Sequence, residues 1–291
     1  MLHYNSSTSD YVSFPEVRAI APRKSSCVSV TPPVSFVHAS NDVSSSEGGS
    51  PSPSALVKKL SAFGPLGAAE VEALELLSRN PKSMQAEQIM IHEGSPSDSV
   101  YLVVSGIACR YKMLAGGRRQ ILGYLIPGDL CDIQFAISNR PDYSVSSAGG
   151  SSVARIPILK ISELMLGYPA INRAFSLAAL TDAVILREWL LSIGQRDALQ
   201  KLCHLFCEIA LRLEAIGRIN DDGSFELPMN QMTLADTLGL TSVHINRTLQ
   251  WLRHEGLITL CHRRLAILDR QRLAAIADFD GGYLRMKCAA D

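Results

Sequence analysis

The chain has 291 residues, enough for two ordinary domains with sequence to spare, and 47% of them are hydrophobic, which excludes a wholly disordered protein. Its 28 basic residues balance 28 acidic ones, which excludes a polycation that binds nucleic acid or membrane through bulk charge. Seven cysteines at irregular spacing (Cys27, Cys109, Cys131, Cys203, Cys207, Cys261 and Cys288), no signal peptide and no apolar run of the roughly 20 residues that span a bilayer point to a soluble protein of the reducing cytoplasm.

Residues 1–54 are rich in Ser, Pro and Gly, include the run SSSEGGSPSPS, and lack both helical and strand periodicity. A disordered leader accounts for them, as does translation assigned upstream of the true start. Over residues 55–80, Leu56, Leu60, Phe63, Leu66, Val71, Leu74, Leu76 and Leu77 recur at helical spacing around Gly64-Pro65, which predicts two short helices.

After Pro81 come short β runs, VYLVVSG, IACRYKML, RRQILGYLI and SVARIPI, separated by HEGSPSD, AGGRR, IPGD and SAGGS. Many short strands with glycine turns predict a sandwich or barrel. Cys109 and Cys131 within it read as small buried hydrophobes rather than as a redox pair.

Residues 169–217 carry Ile171, Phe175, Leu177, Leu180, Val184, Leu186, Leu190 and Ile193 in helical register. A long helix, a break near Gly194 and a second helix to Leu213 are expected. The first helix is apolar over too much of its circumference for a solvated connector, so it is expected to pack against a second copy of itself. In CHLFC, Cys203 and Cys207 share a helix face that His204 does not, which favours a core role over metal binding.

Residues 227–270 read as helix, tight turn, helix and β-hairpin. Asn230 can cap a helix to Leu238, Gly239 supplies the positive φ of a sharp turn, and Thr241 or Ser242 can cap a second helix through Glu255. Leu234, Ala235, Leu238, Leu240, Ile245, Leu249 and Leu252 form its core. Ser242, Val243, His244, Asn246, Arg247 and Gln250 are left outward, where a recognition helix meets the major groove. Arg247 is the strongest base reader, because its guanidinium fork can bond guanine O6 and N7 together. Thr241 and Ser242 suit phosphate or a single base edge, Val243 a thymine methyl, and His244 and Asn246 base or backbone, and Asn230 is counted with the DNA-binding set. The run LITLCHRRLAILD alternates like a hairpin, with Arg263 and Arg264 at its tip for phosphate. Residues 229–272 hold six Arg against Asp236, Glu255 and Asp269, so this segment is the basic patch.

LADTLGLTSVHINRTLQWLRHEGLI resembles the C-terminal domain of the Crp/Fnr transcription regulators, and HEGSPSDSVYLVVSG, GGRRQILGYLIPGD and SVARIP resemble that family's sensor. The resemblance covers about residues 60–272. It implies an α+β chain with a jelly-roll-like β-roll sensor (55–168), a long dimerisation helix (169–194), a winged helix-turn-helix (195–272) and a C-terminal tail (273–291). It also implies a homodimer on palindromic double-stranded DNA, with RNA polymerase as a candidate partner and no catalysis.

In cyclic-nucleotide-binding relatives a Gly-Glu pair after the GD turn accepts from the ribose, and an Arg before Ser or Thr neutralises the phosphate. Here GDLCDIQFAISNRPDYSVSS puts Asp132 and Ile133 at the first pair, and Tyr143 before Ser144 at the second, with Arg140 nearby. An unpaired buried phosphate costs several kcal/mol, so cyclic AMP binding is not expected and the effector stays unassigned. The family's iron-sulfur branch needs a cysteine cluster near the N-terminus plus one cysteine in the β-roll, four thiolates in all, but only Cys27 lies in the leader, and no C-x-x-C-H haem motif is present. No P-loop, GxSxG or HExxH occurs. The competing class is a ligand-binding module that signals through protein contacts without DNA.

Overall fold

A computed structural model of the protein describes residues 52–131 and 140–284. The leader with Cys27, the pair Asp132 and Ile133, and the end of the tail with Cys288 lie outside the described residues.

Helix α1 (Ala55–Ser61) starts where Ser54 Oγ accepts the Val57 N–H, and α2 (Ala68–Leu77) follows the Gly64-Pro65 break, as the periodicity predicts. Both turn leucines inward: Leu56, Leu60 and Leu74 are fully buried.

Strands β1 (Lys82–Met84), β2 (Ile89–Ile91), β3 (Ser99–Met113), β4 (Arg119–Leu125), β5 (Leu130–Cys131) and β6 (Ser144–Pro157) form one antiparallel sheet. Its order is β1-β6-β3-β4, with β2 also pairing β6 and β5 pairing β3. The runs VYLVVSG and IACRYKML join into the single strand β3, because Ser105-Gly106 is a bulge and not a turn. The β3–β6 register shifts on both sides of it, and Gly106 has φ +74°. A Cβ there would stand 2.4 Å from the Gly150 carbonyl oxygen, so glycine is required where the two strands close on each other. β6 likewise runs through Gly149 and Gly150.

After α3 (Ile158–Gly167), the long helix α4 (Pro169–Gln195) starts with proline in its first turn. Gly194 lies inside it. The break falls at Arg196, where Asp197 and Gln200 form a capping box that starts α5 (Ala198–Ala215): Asp197 Oδ1 accepts the Gln200 N–H at 2.8 Å, and Gln200 Oε1 accepts the Asp197 N–H at 3.0 Å. Strand β7 (Ser224–Glu226), helices α6 (Gln231–Leu238) and α7 (Ser242–His254), strands β8 (Ile258–Cys261) and β9 (Arg264–Ile267), and α8 (Arg270–Ala277) complete the winged unit. Its small antiparallel sheet has the order β7-β9-β8. Residues past Arg272, read as tail, continue α8 to Ala277 and then form a 3₁₀ turn, Gly281–Leu284.

Leu102, Ile156, Ile161, Ile171 and Phe175 join the α1–α2 leucines in one apolar cluster. A larger one runs from Ile107, Ile121 and Tyr124 of the sheet through Ile185 and Trp189 of α4 to Phe206, Leu234, Leu249 and Leu273. The sensor sheet and the winged unit therefore share a core. The other side of α4 exposes Leu180, Leu186, Leu190, Leu191 and Ile193. No described helix is long and apolar enough to cross a membrane.

Candidate nucleic-acid interface

The helix-turn-helix is built from its caps. Asn230 Oδ1 accepts the Thr233 N–H at 2.8 Å and starts α6. Gly239 (φ +64°) ends it in the left-handed conformation that lets the chain reverse within three residues. Thr241 Oγ1 accepts the His244 N–H at 3.3 Å and starts α7, which leaves Ser242 as the helix's first residue and not its cap.

Leu234, Ala235, Leu238, Ile245, Leu249 and Leu252 are buried between the helices, and Leu240 is half-buried at the turn. The opposite face of α7 is open. Val243 is 59% exposed, and His244, Arg247 and Gln250 lie in solvent beside it, with Ser242 and Asn246 half-buried. All but Gln250, which lies just beyond, are in the helix's N-terminal half, on its open side, as base reading requires. Asn246 Nδ2 donates to Gln231 Oε1 at 3.4 Å, which turns its own oxygen outward. Thr241 Oγ1 lies 3.2 Å from His244 Nδ1, so Nε2 is the ring atom that faces solvent.

The arginines of the patch are used unevenly. Arg270 pairs with Glu214 at 3.0 Å and Arg272 with Glu255 at 2.6 Å, and Arg253 donates to the Leu260 carbonyl. Arg272 holds the Glu255 carboxyl below the usual range. The hairpin tip is the two-residue turn His262-Arg263, both at positive φ, while Arg264 already belongs to β9. Arg263 Nη1 donates to the Gly149 carbonyl of β6 at 3.2 Å, so this wing arginine is occupied by the sensor sheet. Arg247 and Arg264 stay exposed, and Arg247 has no ion pair among the described residues. Met232, at 61% exposure on α6, and Trp251, at 39% on α7, also border the reading face. Sequence reasoning missed both, since an isolated apolar residue on an amphipathic helix reads as core.

In the sensor, Tyr143 lies under the Arg110 guanidinium at 5.8 Å, and Ser144 Oγ accepts the Glu93 N–H at 3.0 Å. Arg110 also donates to Asp182 of α4 at 2.9 Å, so β3 and the long helix are joined by the protein's own ion pair. Burial opposes the charge on Asp182, yet Arg110, with Lys59 and Arg212 beyond it, holds the carboxyl below its usual range. Asp129 of the IPGD turn is buried and bound by Lys59, by Arg212 at 2.8 Å and by the Ile126 N–H at 3.0 Å. Cys109, Cys131, Cys203 and Cys207 are buried. Burial pushes the last two up to about 12.

Two family models match the chain: "Cyclic nucleotide-binding domain" over residues 81–168 and "Crp-like helix-turn-helix domain" over residues 200–276. The transcriptional activatory protein AadR of Rhodopseudomonas palustris is 31% identical over 224 residues, which are 76% of this chain and 90% of that protein. The nitrogen fixation regulation protein FixK of Bradyrhizobium diazoefficiens is 29% identical over 73% of this chain and 87% of its own length. Among solved structures, FixK2 from Bradyrhizobium japonicum superposes with a TM-score of 0.60 at 22% identity, covering 73% of this chain and 98% of that one, which is a likeness of fold. These relatives do not favour a module that has given up DNA. The chain belongs to the Crp/Fnr family of DNA-binding transcription regulators.

Proposed function

We propose that the protein acts as a homodimer that reads a palindromic site with α7. The observation that carries this is the division of α7 into a fully buried face (Ile245, Leu249, Leu252) and an open one (Val243, Arg247, Gln250). Arg247 reads a base, most favourably guanine. Ser242, Val243, His244, Asn246 and Gln250 supply further base or backbone contacts, and Asn230, Thr241, Arg263 and Arg264 lie toward phosphate. For Arg263 this requires release of its bond to Gly149. The exposed leucines of α4 form the subunit seam, since five large apolar side chains along one helix face gain most by meeting their own copy.

The sensor works without cyclic AMP. Arg110, a cation of the β-roll facing the long helix, is already neutralised by Asp182, and a cyclic phosphate would have to displace that carboxylate. Exposed residues of the winged unit are where RNA polymerase would be met. The test is selection of bound DNA from a random pool by the purified protein. A palindrome with half-sites about one helical turn apart is expected, and failure to enrich any sequence would overturn the reading.

A further inference from the structure

We propose that Tyr283 is a positioning residue: the C-terminal turn clamps the junction of α4 and α5 and so sets the angle at which the two reading heads of the dimer meet DNA. The proposal rests on the dimer reading above. The segment lies beyond the matched helix-turn-helix model, which ends at residue 276, yet it is tied into the middle of the molecule.

Asp278, at φ +49°, ends α8 and sends the chain back across α5. There the Phe279 ring meets His204 edge-on at 5.1 Å, the Tyr283 ring stacks on His204 7° from parallel, and the two rings meet each other edge-on at 6.1 Å. Tyr283 Oη donates to Glu208 Oε2 at 2.9 Å, and Trp189 Nε1 of α4 donates to the same oxygen at 3.0 Å. One carboxylate oxygen thus joins the long helix, the first helix of the winged unit and the C-terminal turn.

The chain of contacts continues into the sensor. Glu208 Oε1 accepts from Arg212 at 3.2 Å, and Arg212 donates in turn to Asp129 and to the Tyr124 carbonyl. Glu208 is fully buried and Asp129 nearly so, so neither acid can replace a lost donor with bulk water without opening the structure. The four side chains Tyr283, Glu208, Arg212 and Asp129 therefore connect the 281–284 turn to the IPGD turn. Movement of either end is felt at the α4–α5 corner, where the long helix meets the winged unit.

Binding is measured on the full palindrome and on a duplex with a single half-site, for wild type, Tyr283→Phe, Asp129→Asn and the double variant, with thermal midpoints alongside. Tyr283→Phe keeps the ring against His204 and removes only the donor. The expected result is roughly tenfold weaker binding to the palindrome for each single variant, half-site affinity within about twofold of wild type, and a double variant no worse than the weaker single. A merely structural role would lower both affinities together with the midpoint. That outcome, unchanged palindrome binding, or strictly additive losses would overturn the proposal, and Asp129→Asn decides it should Tyr283→Phe fail to fold. A wild-type protein that shows no preference for the palindrome would overturn the dimer reading itself, and this proposal with it.

Discussion

Arg119 of β4 places its Nε 2.9 Å from the Asp236 carboxylate of α6, and both side chains are about four-fifths buried. Gln120 reinforces the contact by donating to the Thr237 carbonyl at 3.1 Å, and Tyr124 Oη meets Thr237 Oγ1. The reading head is thus docked on the sensor by the back of its first helix, which leaves α7 facing outward. The pair also neutralises Asp236, one of three acids in the basic segment. A double-mutant cycle on Arg119→Ala and Asp236→Ala, followed by urea unfolding, should give a coupling energy of about 1 kcal/mol. Additive losses would mean that the two groups do not stabilise each other.

Arg247→Ala should weaken binding to the selected site by roughly 1 to 3 kcal/mol and relax the preference at one base position, with an unchanged circular dichroism spectrum and midpoint. Arg264→Ala should instead weaken all sequences alike and reduce the salt slope of binding by about one. Equal effects from the two variants would contradict the division into base reader and phosphate contact.

How much of this could be read beforehand follows from where each signal resides. The turn at Gly239 and the caps Asn230 and Thr241 are local chemistry, and the structure builds them as the residues suggest. The capping box of Asp197 and Gln200 is equally local, and it moves the helix break from Gly194 to Arg196. Strand β3 was harder, because glycine signals a turn and a bulge alike, and only the approach of Gly150 decides between them. Arg110 with Asp182, and Arg119 with Asp236, join residues 72 and 117 positions apart. No spacing rule reaches that far, so the grip of the sensor on the long helix and on the reading head is visible only in three dimensions. The outward set on α7 was legible from helical period alone, whereas the occupation of Arg263 by Gly149 was not.

Gly106→Ala should cost roughly 2 kcal/mol or more, since it adds a Cβ 2.4 Å from the Gly150 oxygen at φ +74°, in a strand that pairs on both sides. Gly116→Ala in the β3–β4 turn is the control, because a Cβ there meets nothing within 4 Å. Chemical denaturation of both variants checks this, and similar midpoints would show that the bulge tolerates a side chain.

His204 is 2% exposed against the paired rings of Phe279 and Tyr283, and its pKa is lowered to about 4, first by burial and then by the nearby Arg196. Glu188 lies 3.7 Å from its Nε2 but is itself paired with Arg196, so it offers the imidazolium little. The folded state therefore holds His204 neutral, while the unfolded chain takes up a proton at about 6.5. Because the unfolded state binds the extra proton, the stability conferred by neutral His204 is complete above pH 6.5 and is lost as pH falls toward 4. Over that window the loss is on the order of 3 kcal/mol. Carboxylates titrate in part of the same range, so the measurement is the difference between wild type and His204→Gln in unfolding free energy from pH 7 to pH 4. The variant should start less stable, having lost its ring contacts, and its curve should fall less steeply than that of wild type. Parallel curves would show that His204 is protonated in the folded protein and that the pocket of Phe279 and Tyr283 does not exclude its charge.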